Sequence, residues 1–323
     1  MRGRPQGQGA QIAGTEVAPG TRRDVEIPVA RLPTQTYVSL PVAVVNGAHG
    51  GPSLWIAAAV HGDEVNGIEI VRRVLERVDP ESLAGTLYAL PIVNVFGFLA
   101  KSRYLPDRRD LNRSFPGSPR GSLAARIAHL VMTEIVSRCS HGIDLHSGTD
   151  NRTNLPQVRG DLDDPGTLRI ARAFGAPLML QAGSVDGSLR RAAVKRGGCA
   201  LLYEAGQALQ FEEFAIRAGM DGVLRVMAAL GMIPRRGAPR PRRTVRAERS
   251  HWVRAPRSGL LRVRVAAGDR VRRRQIVAEI SDLFGHEVVP LRAKCHGIVI
   301  GHTLNASVNQ GEALLHLAEH EGD

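Results

Sequence analysis

Between Tyr37 and Met232 the chain alternates two textures: short apolar runs with the length of buried strands, and longer stretches in which apolar residues recur every three or four positions. This alternation predicts an α/β fold, with a mostly parallel or mixed sheet and helices on both faces, because a strand covered on both sides reads as a continuous apolar run. Residues 53–60 (SLWIAAAV) read as one such strand, 61–63 as the loop after it, and Val65, Ile68, Val71, Leu75 and Val78 as one face of the next helix. Residues 86–95 read as a strand. Residues 122–139 are predicted helical, with Leu123, Ile127, Leu130 and Ile135 on one side, and lead into a strand at 142–146. Residues 177–181 and 199–203 read as further strands, and 211–230 as a long closing helix.

The flanks differ. Residues 1–21 carry few large apolar side chains and are expected to lack fixed structure, so the catalytic unit is expected to span 22–233. Residues 234–249 read as an Arg/Pro-rich linker, and 250–323, β-branched and punctuated by glycine, as a small all-β domain. Its segments 255–259 (APRSG), 267–271 (AGDRV) and 293–297 (AKCHG) resemble turns of barrel-sandwich folds of the lipoyl or biotinyl type. Lys294, the sole lysine there, precedes a Cys-His-Gly turn and occupies no hairpin tip, so a carrier role is not expected.

The formal charge of +12 is almost wholly arginine, since only Lys101, Lys195 and Lys294 are lysines. In the linker, Arg235, Arg236, Arg240, Arg242, Arg243, Arg246 and Arg249 face Glu248 alone; such a run is ordinarily solvated, and its alternative use is contact with an acidic partner. An aromatic content of 4% leaves little for base stacking, which argues against nucleic acid as the partner. Cys139, Cys199 and Cys295 lie far apart without a C-x-x-C pair, so neither a disulfide framework nor a sulfur-ligated metal site is expected. The first 30 residues hold no signal-like apolar core, and no stretch reaches the roughly 18 apolar residues of a membrane span. We therefore expect a soluble, cytoplasmic protein without a membrane partner.

The candidate chemistry lies at the ends of the predicted strands. His61 and Glu64 stand three apart where a strand gives way to a helix, the edge at which open α/β sheets bind ligands. His146 closes a second strand, and Asp144, two residues earlier, leaves the same face and suits a carboxylate that orients a ligating imidazole, either that of His146 or that of His61. Two histidines and a glutamate form a set that Zn²⁺ accepts with a fourth position left for water. Glu204 ends a third strand beside Ala205 and Gly206; it suits a proton carrier in the active site, and equally a surface charge or helix cap. Arg103 and the run 110–117 (DLNRSFPG) supply forks for a carboxylate or an oxyanion, or ordinary loop charge.

In this order HisGlyAspGlu (61–64), AspLeuAsnArg (110–113), AspLeuHisSerGly (144–148) and GluAlaGly (204–206) resemble the succinylglutamate desuccinylase/aspartoacylase family, related to the zinc carboxypeptidases, over roughly residues 54–232. The resemblance implies one Zn²⁺ per chain on His61, Glu64 and His146, with Glu204 as general base and acid. It also implies that Arg103 polarises the scissile carbonyl and that Asn112 and Arg113 hold a substrate carboxylate. The expected activity is amide hydrolysis of a small N-acylated substrate bearing a carboxylate, with carboxypeptidase-like trimming of a peptide or isopeptide tail as the alternative. A zinc-containing binding protein for an acidic partner is a third reading, against which the presence of Glu204 stands. Self-association is left open. Residues 105–109 make a longer stretch than in aspartoacylase-like sequences, a departure that bears on the role implied for Arg103; the departure that bears on specificity is that no tyrosine follows the linker, whereas aspartoacylase-like enzymes draw one into the pocket from their C-terminal domain. Acetyl-aspartate or succinyl-glutamate specificity is therefore not assumed.

If the linker charge is solvated, neutralising Arg235, Arg236, Arg240, Arg242 and Arg243 together leaves turnover of a small substrate nearly unchanged. A large, salt-sensitive loss in steady-state kinetics would instead point to an acidic macromolecular substrate steered by the run.

Overall fold

The computed structural model describes residues 7–235 and 244–320. A short hairpin of β1 (Ala10–Ile12) and β2 (Thr15–Val17) precedes a long antiparallel pair, β3 (Thr21–Arg31) and β4 (Tyr37–Asn46). The middle of the chain runs β5 (His49–Ala58), α1 (Asn66–Leu75), β6 (Ala84–Leu90), α2 (Val95–Leu99), α3 (Leu123–Glu134), β7 (His141–Gly148), β8 (Arg152–Gly160), α4 (Pro165–Phe174), β9 (Leu178–Gln181), α5 (Leu189–Lys195), β10 (Cys199–Gln207) and α6 (Glu213–Ala229). The rest is all β: β11 (Val245–Ala247), β12 (Ser250–Arg254), β13 (Gly259–Val263), β14 (Arg270–Val271), β15 (Ile276–Ser281), β16 (Val288–Arg292), β17 (Gly297–Thr303), β18 (Ser307–Val308) and β19 (Ala313–Glu319).

One mixed sheet dominates, in the order β12-β19-β17-β8-β10-β7-β5-β6-β4-β3, with β9 and β11 branching from β8 and β14 from β17. Its centre, β10-β7-β5-β6, is parallel, and its flanks are antiparallel. From β5 the chain crosses to β6 on one side and returns to β7 on the other, so the carboxyl ends of β5 and β7 flank a switch point where a crevice opens. Helices cover both faces. On one, α1, α4 and α6 pack Ile70, Val74, Phe174 and Val223 against Ile56, Ile143 and Leu201. On the other, α3, α5 and the N-terminal hairpin pack Ile127, Val131, Leu189 and Ile12 against Trp55 and Tyr88.

Three expectations need correcting. Residues 10–17, expected to lack structure, form β1 and β2, because Ile12 and Val17 are buried in the second core despite their polar surroundings in sequence. The strand predicted for 86–95 stops at Leu90; Asn94 accepts a hydrogen bond from the Gly97 N–H and starts α2. Residues 245–247, placed in the linker, are strand β11, paired in parallel with β9; Arg236, Arg240, Arg242 and Arg243 lie outside the described residues.

The C-terminal strands divide between two sheets. β17, β19 and β12 extend the large sheet through the pairing of β17 with β8, while β16, β15, β13 and β18 form a separate four-stranded sheet. Val253, Val299 and Leu317 of the first pack with Leu261, Ile280 and Leu291 of the second in one apolar cluster. No helix among the described residues is long and apolar enough to cross a membrane.

Gly142 makes room at the centre of the sheet. It pairs with Trp55 across β7 and β5, and a Cβ placed on it would come within 1.8 Å of the indole. Since Trp55 is almost wholly buried, the ring has nowhere to retreat. Gly142→Ala is expected to destabilise the protein by about 1–3 kcal/mol, the usual cost of overpacking, read as a lowered denaturant midpoint.

Candidate metal centre and active site

The turn after β5 is set by backbone space. Ala59 adopts a positive φ of 49°, and a Cβ on Gly62 would sit 2.0 Å from the Gly97 carbonyl carbon, so only glycine lets the turn lie flat on α2. With the turn pinned, His61 and Glu64 project to the same side, and the Glu64 N–H donates to the His61 carbonyl at 3.2 Å. His146 arrives on β7, beside Glu204 of β10 in parallel register.

The three side chains expected as ligands converge. His61, Glu64 and His146 are all buried and offer ligand atoms within 4.8 Å of one another, a group that can hold a metal ion. His61 Nδ1 lies 2.7 Å from Glu64 Oε1 and His146 Nδ1 2.8 Å from Oε2, while the Ser147 N–H donates to Oε2 at 2.9 Å. Each imidazole turns its other nitrogen to a different carboxylate. His61 Nε2 is 3.2 Å from Asp110 Oδ1, and His146 Nε2 is 3.0 Å from Asp144 Oδ2.

The Asp144 contact is close but poorly aligned, so His146 Nε2 and both Asp144 oxygens count as buried atoms without a hydrogen bond; we read it as an ion-pair contact. The pattern fits a metal site: Nδ1 of both rings faces the shared carboxylate, and each Nε2 has an outer carboxylate beside it, within hydrogen-bond reach for His61 and in ion-pair contact for His146. Burial alone would raise the Glu64 carboxyl, yet His61 and His146 outweigh it and hold Glu64 well below the usual carboxylate range. Burial likewise opposes charge on His146, but Asp144 and Glu64 raise it well above the ordinary imidazole value.

Asp110, part of the 110–113 motif but without an expected role of its own, joins the cluster. It bridges His61 and Arg103, whose Nη2 donates to Asp110 Oδ2 at 2.9 Å, and Arg103 Nη1 lies 3.3 Å from His61 Nδ1. Arg103 is carried there by the loop after α2, where the buried Asn94 amide donates to its carbonyl at 3.2 Å. Asn112 is buried, and its Oδ1 accepts from the Leu189 N–H at 2.9 Å, tying this loop to the start of α5. Arg113 is exposed and donates to the Asn112 carbonyl at 2.7 Å.

All eight expected site residues line one cavity of about 230 Å³: His61, Glu64, Arg103, Asn112, Arg113, Asp144, His146 and Glu204. Sequence reading missed the others that matter there, chiefly Arg159 and Arg190. Arg190 is buried, donates to the Ala182 and Gly183 carbonyls, and burial brings its guanidinium down to about 10. Arg159 lies on β8, with Nη2 3.4 Å from Glu204 Oε2, and Asn154 of the same strand donates to Oε1 at 3.1 Å. Residues 152–160 (RTNLPQVRG) carry only Leu155 and Val158 as large apolar side chains, three apart around Pro156, so no period-two alternation marks β8 in the sequence.

The family model of the succinylglutamate desuccinylase/aspartoacylase catalytic domain matches residues 50–230. Over 296 residues the chain is 31% identical to N-alpha-acetyl-L-2,4-diaminobutyric acid deacetylase of Halomonas elongata, covering 87% of this chain and 86% of that protein. A solved succinylglutamate desuccinylase/aspartoacylase from Rhodobacter sphaeroides is 27% identical with a TM-score of 0.82, over 93% of this chain and 96% of the other. The product-bound ectoine utilization protein EutE (DoeB) of Ruegeria pomeroyi, 22% identical, shares the fold with a TM-score of 0.83 over 93% and 95% of the two chains.

Metal analysis of purified protein tests the cluster. His146→Ala should lose bound metal, and full occupancy in that variant would remove His146 from the ligand set. Asp110→Asn should keep the ligands but weaken metal affinity by about 10- to 100-fold, the usual cost of losing a carboxylate that orients a ligating imidazole.

Proposed function

This chain belongs to the succinylglutamate desuccinylase/aspartoacylase family, and from that premise we propose that it is a zinc-dependent amide hydrolase removing the acyl group from an N-acyl amino acid or a related small N-acylated amine. One observation carries the reading. A single cavity joins a buried His-Glu-His group to a separate carboxylate, Glu204, that stands beside His146 in register but belongs to a different hydrogen-bond network.

His61, Glu64 and His146 would hold the ion through two imidazoles and a carboxylate. Zinc, when bound there, supplies the charge that polarises the scissile carbonyl and acidifies the attacking water. Glu204 takes a proton from that water as its oxygen bonds to the carbonyl carbon, and returns the proton to the amine nitrogen as the C–N bond breaks. The products are a small carboxylic acid and a free amine. Arg103, anchored by Asp110, faces the cavity where a developing oxyanion needs a fixed positive partner. Asn112 commits its side-chain oxygen to Leu189, so its amide N–H groups are left for substrate, and Arg113 adds a guanidinium for a carboxylate.

The deacetylase relative favours this reading over peptide trimming, and the cavity is of a size that admits a small substrate. At about 230 Å³ it lies below the roughly 300–1,000 Å³ of sites for drug-sized ligands and suits a small acylated amino acid. The name of the Halomonas elongata relative specifies an acetylated diamino acid, so that compound heads the test set.

Metal analysis followed by a mass-spectrometric screen tests the proposal, with N-α-acetyl-L-2,4-diaminobutyrate, other N-acyl amino acids and short acidic peptides as substrates. Deacylation is the expected result; trimming of peptides alone would overturn the deacylase reading. Glu204→Gln should retain metal and substrate affinity while turnover falls by roughly two or more orders of magnitude, as expected when general acid–base catalysis is lost. Near-normal turnover would reject Glu204 as the proton carrier, and loss of metal would make it a ligand instead.

A further inference from the structure

None of the residues lining the catalytic cavity lies beyond Glu204 in sequence, yet the C-terminal strands reach the base through one intermediate residue. Glu204 is held from the neighbouring antiparallel strand: Asn154 Nδ2 donates to Oε1 at 3.1 Å, and Arg159 Nη2 lies 3.4 Å from Oε2. Gln157, directly opposite Glu204 in register, is wholly buried, and neither atom of its amide makes a hydrogen bond. A register shift between Glu204 and Gly206 sets Asn154 opposite Gly206 and brings it within reach of the carboxylate.

The orientation of Asn154 follows from elementary chemistry. An ionised carboxylate only accepts hydrogen bonds, so Asn154 must present its nitrogen to Glu204 and turn its oxygen away. On the opposite side of β8 runs β17, where Gly301 pairs with Asn154 and, across its other edge, with His316 of β19. A Cβ on residue 301 would lie 2.3 Å from Asn154 Oδ1 and 2.3 Å from the Thr153 carbonyl oxygen. Gly301 is not among the glycines with positive φ, so space, and not backbone conformation, is what demands a glycine there.

We propose that Asn154 is a positioning residue for Glu204, and that Gly301, by leaving room for the Asn154 carboxamide, makes the C-terminal strand β17 part of the catalytic machinery. The proposal rests on Glu204 being the proton carrier. The end of a glutamate side chain rotates easily about its last torsion, and a base that must meet water and then amine nitrogen loses rate when its oxygens wander. Asn154 and Arg159 hold one oxygen each.

Asn154→Leu keeps the branched shape of the side chain and removes the donor without placing a second carboxyl beside Glu204, and Asn154→Ala removes both shape and donor. Each should lower kcat about tenfold or more with KM changed less than about twofold, measured on the N-acyl amino acid turned over fastest in the screen above. In a Glu204→Gln background the same changes should cost nothing further, because the group they position no longer carries a proton. Equal fractional losses in both backgrounds, or wild-type kcat in Asn154→Leu, would overturn the proposal. Gly301→Ala should reproduce the kcat loss, and adding Asn154→Leu to it should have little extra effect. Thermal unfolding and metal content of every variant separate these effects from misfolding.

A crystal structure of Asn154→Leu supplies a readout that needs no substrate and holds even where Gly301→Ala fails to fold. Glu204 should leave its wild-type position there, and an unmoved carboxylate would again overturn the proposal. Undiminished turnover in Glu204→Gln alone would instead defeat the functional reading on which the proposal rests.

Discussion

The Glu64 carboxylate is buried to the point of having almost no contact with solvent, and a lone ion so placed would cost several kcal/mol. What makes it tenable is convergence. Two imidazoles from different strand ends and the Ser147 N–H all point at its two oxygens, and Arg103 stands 3.8 Å away. That convergence depends on the carboxyl ends of β5 and β7 lying side by side, which in turn depends on the chain crossing from β5 to β6 and returning to β7. A break at Glu64 would leave two buried histidines facing each other across 4.9 Å between ring centres.

Around this centre the fold assigns separate elements to separate tasks. β5 and β7 bring the His-Glu-His group together; the loop after α2 brings Arg103 and Asp110; α5, tied to Asn112, closes the cavity with Arg190. Glu204 stands apart, steadied from β8 by Asn154 and Arg159. On the proposed mechanism the separation has a chemical use. A carboxylate bound to a metal is a poor proton acceptor, so the proton carrier has to belong to a different network from the ligands.

The C-terminal strands belong to the same body. β17, β19 and β12 continue the main sheet from β8, and Leu178, Leu180, Ala247, Ile300 and Ala318 form a small core where the halves meet. Trp252 stacks on His316 with ring centres 4.3 Å apart, and Arg152 of β8 lies over the same indole. Burial among these groups, with Arg159 and His251 nearby, pushes His316 down to about 3, so it is uncharged near neutrality and adds no further cation to an already arginine-rich region.

Sequence alone determined the parts of the site that are written locally. A buried parallel strand must be apolar along its length, so a polar residue at its end is conspicuous, and His61, His146 and Glu204 each follow such a run. Glycines 62 and 142, by contrast, have their reasons in distant partners, the Gly97–Phe98 backbone and Trp55. Only the tertiary structure decided that Asp110 takes the His61 imidazole and that Asp144 takes His146 and not His61, that β8 runs antiparallel beside β10 and presents Asn154 and Arg159 to Glu204, and that residues 10–17 have a core to enter. These features depend on register between segments far apart in the chain. A one-residue slip in an antiparallel pair sends every side chain to the other face, and no local pattern of apolar and polar positions records which register was chosen.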